Sequence, residues 1–358
     1  MQINNLSLFQ FKNHKELKID FSSDITCLYG NNGVGKTNVL DAIYMLSTCK
    51  SYFNSFDFQL IFHGENKCSI NGQFIHDNQY DIQLTIEQNK KKKIKKNDKY
   101  YDKLLDHIGL INSVMITPDD IELINGHSDE RRKFIDITIS QCDRTYLTNL
   151  SEYNKILDQR NKQLKLFAFH KHFDADLLES FSQKLIPLAN YIHQCRIDFL
   201  QIMNHYFLTY YHQLCNDKEI VNFKYISDLN EKQFEEILKD NINKDLAAER
   251  TIQGIHKDDL EFEINGYAVK KFGSQGQSKL FTIALKLAQY QLLKNKINSL
   301  PILLLDDLFE KIDEERAQLL INLISSAEFG QIIITDTHEE RVKKHFENVK
   351  KTISFVEL

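Results

Sequence analysis

One segment near the start of the chain has the residue types and spacing of a loop that binds phosphate groups. Residues 30–37 read Gly-Asn-Asn-Gly-Val-Gly-Lys-Thr, which fits the pattern G-x-x-x-x-G-K-[ST] throughout. An apolar run from Ile25 to Tyr29 precedes it and a helical pattern follows, as this motif requires. Glycines let backbone N–H groups turn toward a phosphate, and the following helix presents its positive end. The sequence therefore predicts a nucleotide site here.

Lys36 and Thr37 have the most specific predicted roles within this segment. The Lys36 ammonium would lie between the β- and γ-phosphates of ATP, and the Thr37 hydroxyl would coordinate Mg²⁺. The residues predicted to bind the nucleotide are Gly30, Asn31, Asn32, Gly33, Val34, Gly35, Lys36, Thr37 and Asn38. ATP and Mg²⁺ are therefore the expected cofactors.

A second predicted part of the site lies near the other end of the chain. The apolar run Ile302 to Leu305 ends at Asp306 and Asp307, as a buried strand ends at a metal-binding carboxylate in nucleotide-hydrolysing proteins. Asp306 would hold Mg²⁺ through water, and Asp307 would polarise the attacking water as a general base. The alternative for Asp307 is a cap on the next turn.

The two parts of this site are far apart in sequence, because Lys36 and Asp306 are separated by 270 positions. We therefore predict that the ends of the chain build one sheet and that a helical middle is inserted, as in head-type ATPases. Apolar residues from Leu178 to Tyr206 recur at heptad spacing, which indicates a helical arm, and Pro187 should kink it or begin a new helix. The predicted parts are 1–112, β-rich with the phosphate loop; 113–250, the helical lobe and arm; and 251–358, the C-terminal part of the head.

Composition excludes several protein classes. The 358 residues carry a net charge of −5, so any binding of a polyanion requires a local basic patch. No apolar run approaches the roughly 18 residues needed to span a bilayer, and the N-terminus lacks a signal-peptide pattern, so we expect a cytoplasmic protein without a membrane partner. The six cysteines form no C-x-x-C pair, which argues against a zinc site or a disulfide framework.

A third motif precedes the Asp306 strand. Ser274-Gln275-Gly276-Gln277 stands just before an amphipathic helical pattern, where a hydroxyl and free N–H groups could face an anion. In a protein with a phosphate loop, this segment resembles the signature motif of ABC-type ATPases, in which the signature of one subunit caps the γ-phosphate held by the other. The resemblance implies an ATP-dependent homodimer and places Asp313 in the D-loop at the dimer seam.

Taken together, the motifs and the short arm resemble the RecF family, recombination mediators among the SMC-like ABC ATPases. Further matching segments are Thr117–Asp120, Arg131–Asp136, Leu157–Asn161 and Gly254–Leu260, the last departing at Ile255 and Lys257. The resemblance implies an α/β fold, an ABC/SMC-type P-loop ATPase head with an inserted helical arm or lobe.

The resemblance also implies a function. The family binds ATP and DNA, dimerises on ATP, and is released by slow hydrolysis, so the protein would act as a switch with weak ATPase activity. It would help to load recombinase at single-strand gaps and junctions during repair, replication restart and SOS induction. Its usual collaborators are RecR and RecO. In the switch region after the last strand, either Asp336 or His338 would sense the γ-phosphate.

The position of a DNA surface is the least determined feature. The candidate contacts are Arg131, Arg132, Lys133 and Arg160, and a second basic cluster lies between Lys90 and Lys96. We expect dimerisation to join weak patches into one groove that reads DNA structure and not sequence. The alternatives are another SMC-like ATPase with a defence or nuclease-associated role, an ABC transporter subunit, and a nucleotide-gated scaffold without DNA contact.

Overall fold

The computed structural model describes residues 1–215, 219–310, 313–347 and 349–358, with the backbone alone at residue 310. The strands are β1 Gln2–Phe11, β2 His14–Asp20, β3 Ile25–Tyr29, β4 Lys67–Ile75, β5 Gln79–Glu87, β6 Lys93–Lys96, β7 Lys99–Tyr100, β8 Ser113–Ile116, β9 Val221–Ile226, β10 Asp259–Ile264, β11 Tyr267–Ala268, β12 Ile302–Leu305, β13 Ile332–Asp336 and β14 Ile353–Glu357. The α-helices are α1 Lys36–Thr48, α2 Glu122–Asn125, α3 Ser128–Ser140, α4 Arg144–His170, α5 Ala175–Leu214, α6 Phe234–Asp240, α7 Ile242–Ala248, α8 Val269–Phe272, α9 Gln275–Ile297, α10 Glu314–Ile324 and α11 Glu339–Phe346.

The chain divides into two compact units. The first consists of residues 1–121, 209–218 and 275–358, and the second of residues 122–208 and 219–274. Both ends of the chain thus contribute to one unit, with a largely helical segment between them. This division assigns residues 113–121 to the first unit and 251–274 to the second, whereas the predicted ranges placed them in the helical insertion and the C-terminal part of the head.

Two sheets form the first unit. The five-stranded sheet has the order β14-β3-β13-β12-β8 and all its strands are parallel. Its central strands are continuous apolar runs, as expected where both faces of a sheet are covered. The six-stranded antiparallel sheet has the order β2-β1-β4-β5-β6-β7, and its strands alternate between buried and exposed residues. Helix α1 is buried with apolar residues from both sheets in one core.

The second unit contains the helical arm and a small sheet of order β11-β10-β9. Helix α4 has 27 residues, and Asp143 caps its start by accepting a hydrogen bond from the N–H of Tyr146. Helix α5 continues for 40 residues with Pro187 inside it, so the prediction that a new helix could begin at Pro187 is wrong. None of the helices in the described ranges is long and apolar enough to cross a bilayer.

Candidate nucleotide site

The predicted phosphate loop joins β3 to α1 at the carboxyl end of the parallel sheet. Gly30, Gly33 and Gly35 have φ angles of 148°, 86° and 107°, a region that favours glycine. The ammonium of Lys36 is buried in the loop and donates to the carbonyl oxygens of Gly30 at 2.8 Å and Asn31 at 3.1 Å. The loop therefore curls around the lysine, as the motif predicts.

A turn between β1 and β2 supports this loop, and sequence reasoning missed it. The side-chain amide of Asn13 donates to the carbonyl of Gly33 at 3.2 Å, and Nε2 of His14 lies 3.1 Å from the carbonyl oxygen of Gly35. A Cβ atom at Gly35 would lie 2.3 Å from His14 Nε2, so the close approach requires glycine. No motif contains these residues, because the contact depends on how the first hairpin packs.

The structure brings the two distant parts of the site together. Asp306 follows β12, whose neighbours in the sheet are β8 and β13, and the Thr37 hydroxyl lies 2.9 and 3.1 Å from its two carboxylate oxygens. Burial raises the pKa of the Asp306 carboxyl, while hydrogen bonds from Thr335 and Thr37 act in the opposite direction. A desolvated carboxylate beside a hydroxyl suits a hard cation with oxygen ligands.

Thr335 near the end of β13 connects Asp306 with Asp307, a role that no motif in the sequence predicts. Its hydroxyl donates to Asp306 Oδ1 at 2.8 Å and accepts the backbone N–H of Asp307 at 2.9 Å. Asp307 has a φ of 40°, a left-handed conformation that is uncommon for a residue other than glycine. Such backbone strain is typical of functional positions, where surrounding contacts enforce it.

The two candidates in the switch region lie in different surroundings. Asp336 is fully buried, and its carboxylate is held by Arg341 at 2.7 and 3.1 Å and by the N–H of His338 at 2.8 Å. His338 is exposed and lines a cavity of about 380 Å³ together with Gly30 and Asn31 of the loop. The geometry therefore favours His338 over Asp336 as the group that faces the loop.

The remaining predicted ATPase residues lie at helix starts. Gln275, Gly276 and Gln277 form the first turn of α9, preceded by the exposed Ser274. Asp313 caps α10, because its Oδ1 accepts the N–H of Arg316 at 3.0 Å. This cap forms within one chain, and about half of the Asp313 side chain remains exposed.

A buried polar network connects α1 with α9 inside the first unit. Asp41 on α1 pairs with Lys12 at 2.7 Å and accepts the backbone N–H of Tyr52 at 2.7 Å. Lys286 on α9 donates to the Tyr52 hydroxyl at 2.6 Å and pairs with Asp120 at 2.9 Å. Each of these contacts joins residues from different segments, so the sequence alone could not reveal them.

The predicted DNA contacts do not share an exposed face. Arg160 has no exposed surface and pairs with the buried Asp245 at 2.7 Å. Arg131 is buried and forms a two-pronged pair with Asp259 at 2.5 and 3.1 Å. Arg132 donates to the carbonyl of Asp258 at 2.7 Å and also pairs with Asp129, while the exposed Lys133 pairs with Glu130 at 2.8 Å. We therefore correct the prediction for Arg131 and Arg160, whose guanidinium groups are committed to internal ion pairs.

Comparisons with known proteins agree with the motifs. The model of the RecF/RecN/SMC N-terminal domain matches residues 2–356. The chain is 44% identical over 359 residues to the DNA replication and repair protein RecF of Flavobacterium johnsoniae, covering 100% of both chains. It is 41% identical to the protein of that name from Parabacteroides distasonis, covering 95% of this chain and 92% of the relative.

Solved structures give the same grouping. A RecF–ATP structure of the recombination mediator protein from the RecFOR pathway superposes with a TM-score of 0.87 at 27% identity, covering 99% of this chain and 95% of the other. The Smc head domain from Pyrococcus furiosus matches with a TM-score of 0.54 at 18% identity, covering 94% of this chain and 90% of the other, which supports the fold alone. The fold is therefore that of an SMC-type ATPase head, as predicted.

Proposed function

The chain belongs to the RecF/RecN/SMC family, as one of its RecF members, and from this we propose that it is an ATP-gated DNA-binding protein of replication and recombinational repair. The contact between Thr37 and Asp306 is the observation that carries the proposal. It joins two motifs 270 positions apart, which supports a single site for a nucleotide and its metal ion. A transporter subunit or a different SMC-like ATPase has no comparable support.

ATP would bind with its phosphates against the loop at residues 30–35. The backbone of this loop presents N–H groups to the anion, and the start of α1 adds a positive partial charge. The Lys36 ammonium, which donates to two loop carbonyls, would move onto the β- and γ-phosphate oxygens. These charge-assisted contacts are worth about 1.5–3 kcal/mol each.

The residues around Asp306 fit Mg²⁺. The ion would supply charge neutralisation of the phosphates. The Thr37 hydroxyl and the Asp306 carboxylate are the protein groups placed to hold it. No group of three histidine, cysteine or carboxylate side chains that could hold a metal occurs among the described residues. The remaining ligands would therefore come from the nucleotide and from water.

Asp307 would act as the base for slow hydrolysis. Its backbone N–H donates to the Thr335 hydroxyl, which in turn donates to the Asp306 carboxylate, so one threonine links the two aspartates. Asp307 would accept a proton from the attacking water, and His338 would face the γ-phosphate from the switch region. Hydrolysis would then act as a timer for release, with little metabolic turnover.

ATP would also join two copies of the chain. Ser274 and the first turn of α9 would contact the γ-phosphate bound by the partner copy, and Asp313 would lie at the seam. The DNA bound by this dimer would be a single-strand gap or a junction, where it would help to load recombinase. RecR and RecO are the proposed protein partners, and replication restart and SOS induction are the proposed settings.

The test is to titrate a gapped DNA duplex with Asp307→Asn, with and without ATP, at two salt concentrations. We expect this variant to bind ATP, to lose hydrolysis and to remain dimeric on DNA with ATP. The binding should weaken steeply with salt, because phosphate contacts release counterions. Lys36→Ala should lose ATP-dependent association altogether.

Asp198→Asn is the matched control, because Asp198 is an exposed aspartate of the second unit and the change in charge is the same. It should hydrolyse ATP and release DNA like the unchanged protein. Unaltered turnover in Asp307→Asn would remove the assignment of the base. Dimers that form with ATP but bind no DNA would leave a nucleotide-gated scaffold and overturn the DNA role.

A further inference from the structure

The outer face of the six-stranded sheet has a composition that the ATPase site does not explain. On β1, β4 and β5 the inward residues are buried and apolar, while the outward residues are mostly uncharged and polar. The register aligns two rows across four strands: Ser7, Asn71, Gln83 and Lys95 in one, and Phe9, Ser69, Thr85 and Lys93 in the other. With strands about 4.8 Å apart, each row is roughly 14 Å long.

Each end of this face exposes an aromatic ring. Phe9 is 47% exposed in the strand β1, with the small Ser69 beside it on β4. Tyr100 on β7 is 60% exposed and lies opposite Lys95 in the register. A large apolar ring on an otherwise polar sheet face offers a flat surface for stacking.

The lysines next to Tyr100 lie over its ring. Within the part of the chain that the structure describes, neither Lys93 nor Lys95 forms an ion pair. Their ammonium groups instead lie 5.8 and 5.0 Å from the centre of the Tyr100 ring. The neighbouring Lys90 and Lys92, by contrast, pair with Glu87 at 2.6 Å and Asp57 at 2.8 Å.

The carboxylates near this face lie around its border. Glu16 lies beside Phe9 on β2, Asp81 accepts a hydrogen bond from Gln73, and Glu87 is neutralised by Lys90. The positive potential is therefore concentrated at β6, and a polyanion would cross the sheet from that edge toward the uncharged centre.

We infer that this face, from Lys93, Lys95 and Tyr100 across to Phe9, binds the single-stranded part of a DNA substrate. The lysines would contact phosphates, the two rings would stack on bases, and the serine, threonine and amide side chains would accept or donate hydrogen bonds. Stacking on a flat face requires bases that are not already enclosed in a double helix, which favours a single strand over a duplex. The inference rests on the proposed DNA-binding function and assigns a surface to it.

The experiment measures fluorescence anisotropy of a labelled 20-nucleotide oligothymidylate and of a blunt 20-base-pair duplex, with and without ATP. Lys93→Gln/Lys95→Gln should weaken binding to the single strand about tenfold. It should also lower the slope of log K against log salt by about 1.4, the value for two lost phosphate contacts on a single strand. Phe9→Ala should weaken the same binding about tenfold without changing the slope.

Three controls separate the possible causes. Lys155→Gln/Lys232→Gln removes two exposed lysines of the second unit, and Phe169→Ala removes a ring that is 81% exposed on α4. Neither should change the affinity for the oligothymidylate. Lys93→Arg/Lys95→Arg keeps the charge and should retain most of the binding, which excludes misfolding as the cause.

Each failure has a distinct meaning. If the unchanged protein binds neither DNA, the proposed function fails and this inference fails with it. If the unchanged protein binds DNA but the sheet variants match the controls, the inference is overturned and the proposed function stands. An equal loss of duplex binding in the lysine and Phe9 variants would overturn the preference for a single strand.

Discussion

Two groups of basic residues, one in each unit, have opposite surroundings. In the second unit the guanidinium groups of Arg131, Arg160 and Arg196 are buried and ion-paired with aspartates. In the first unit Lys93 and Lys95 lie on a sheet face beside a tyrosine ring. A guanidinium can satisfy several acceptors at once in a fixed plane, which suits a buried network, whereas a lysine on a surface can keep its ammonium in water while its stem packs on apolar atoms. A basic residue in the sequence therefore predicts a polyanion contact only after the structure shows whether a carboxylate of the same protein already pairs with it.

Arg160→Met should produce the largest effect on stability, and a small effect would contradict the buried, ion-paired role of Arg160. Removing the guanidinium leaves Asp245 buried and without its counter-charge at 2.7 Å. Loss of one partner from a buried pair costs about 3–5 kcal/mol. We expect the free energy of unfolding, measured by urea denaturation, to fall by that amount.

The matched variant is the double change Arg160→Met/Asp245→Leu, which removes both charges and should recover much of the loss. If Arg160→Met folded as well as the unchanged protein and bound DNA less tightly, the buried role would be wrong. The original prediction of a DNA contact would then regain support.

The sequence predicts the local motifs of the site, but not the contacts that join distant segments. The loop at residues 30–37 and Asp306 were predictable because each motif is local and its chemistry demands particular residue types. Thr335, Asn13 and His14 were not, because their hydrogen bonds join strands and turns that only the folded sheet brings together. Arg160 was misassigned for the same reason, since its partner Asp245 is 85 positions away.

The fold also has features that the sequence predicts and one that it leaves open. The long separation of Lys36 from Asp306 was enough to predict an insertion between two parts of one sheet, and the apolar runs were enough to predict parallel strands. At Pro187 the sequence left two alternatives open, a kink or a new helix, because a proline removes one N–H donor and clashes with the preceding turn, and the structure excludes the new helix. Packing along the rest of the 40-residue helix outweighs that local cost.

His256 should give the buried network a dependence on pH that the lysine face lacks. Its Nε2 lies 3.1 Å from the carbonyl oxygen of Thr251 and its Nδ1 lies 2.9 Å from the Tyr153 hydroxyl, which suits a neutral ring. Desolvation lowers the pKa of His256 to about 4, and nearby Lys257, Arg132 and Arg160 act in the same direction.

The unfolded chain therefore takes up a proton at this histidine near pH 6.5, well before the folded chain does. The free energy of unfolding should fall by about 2 kcal/mol from this group between pH 7.5 and pH 5. Urea denaturation at both pH values measures it. His256→Gln should remove that part of the loss, while His107, with a pKa lowered to about 4 in the first unit, continues to contribute. An equal loss in His256→Gln and the unchanged protein would contradict the assignment.

Lys133→Gln should produce the smallest effect, and it tests whether an exposed but ion-paired lysine can contact DNA. Of the four candidate contacts in the second unit, Lys133 has the most exposed side chain, at 63%, and it pairs with Glu130 one helical turn away. An exposed pair of this kind contributes about 0.2–1 kcal/mol, and salt screens it. We expect the free energy of unfolding to change by less than about 0.5 kcal/mol. The variant and the unchanged protein should bind oligothymidylate with equal affinity at low salt and at high salt. A loss of affinity that disappears at high salt would place Lys133 on the DNA surface, and exposure would then matter more than the presence of a carboxylate partner.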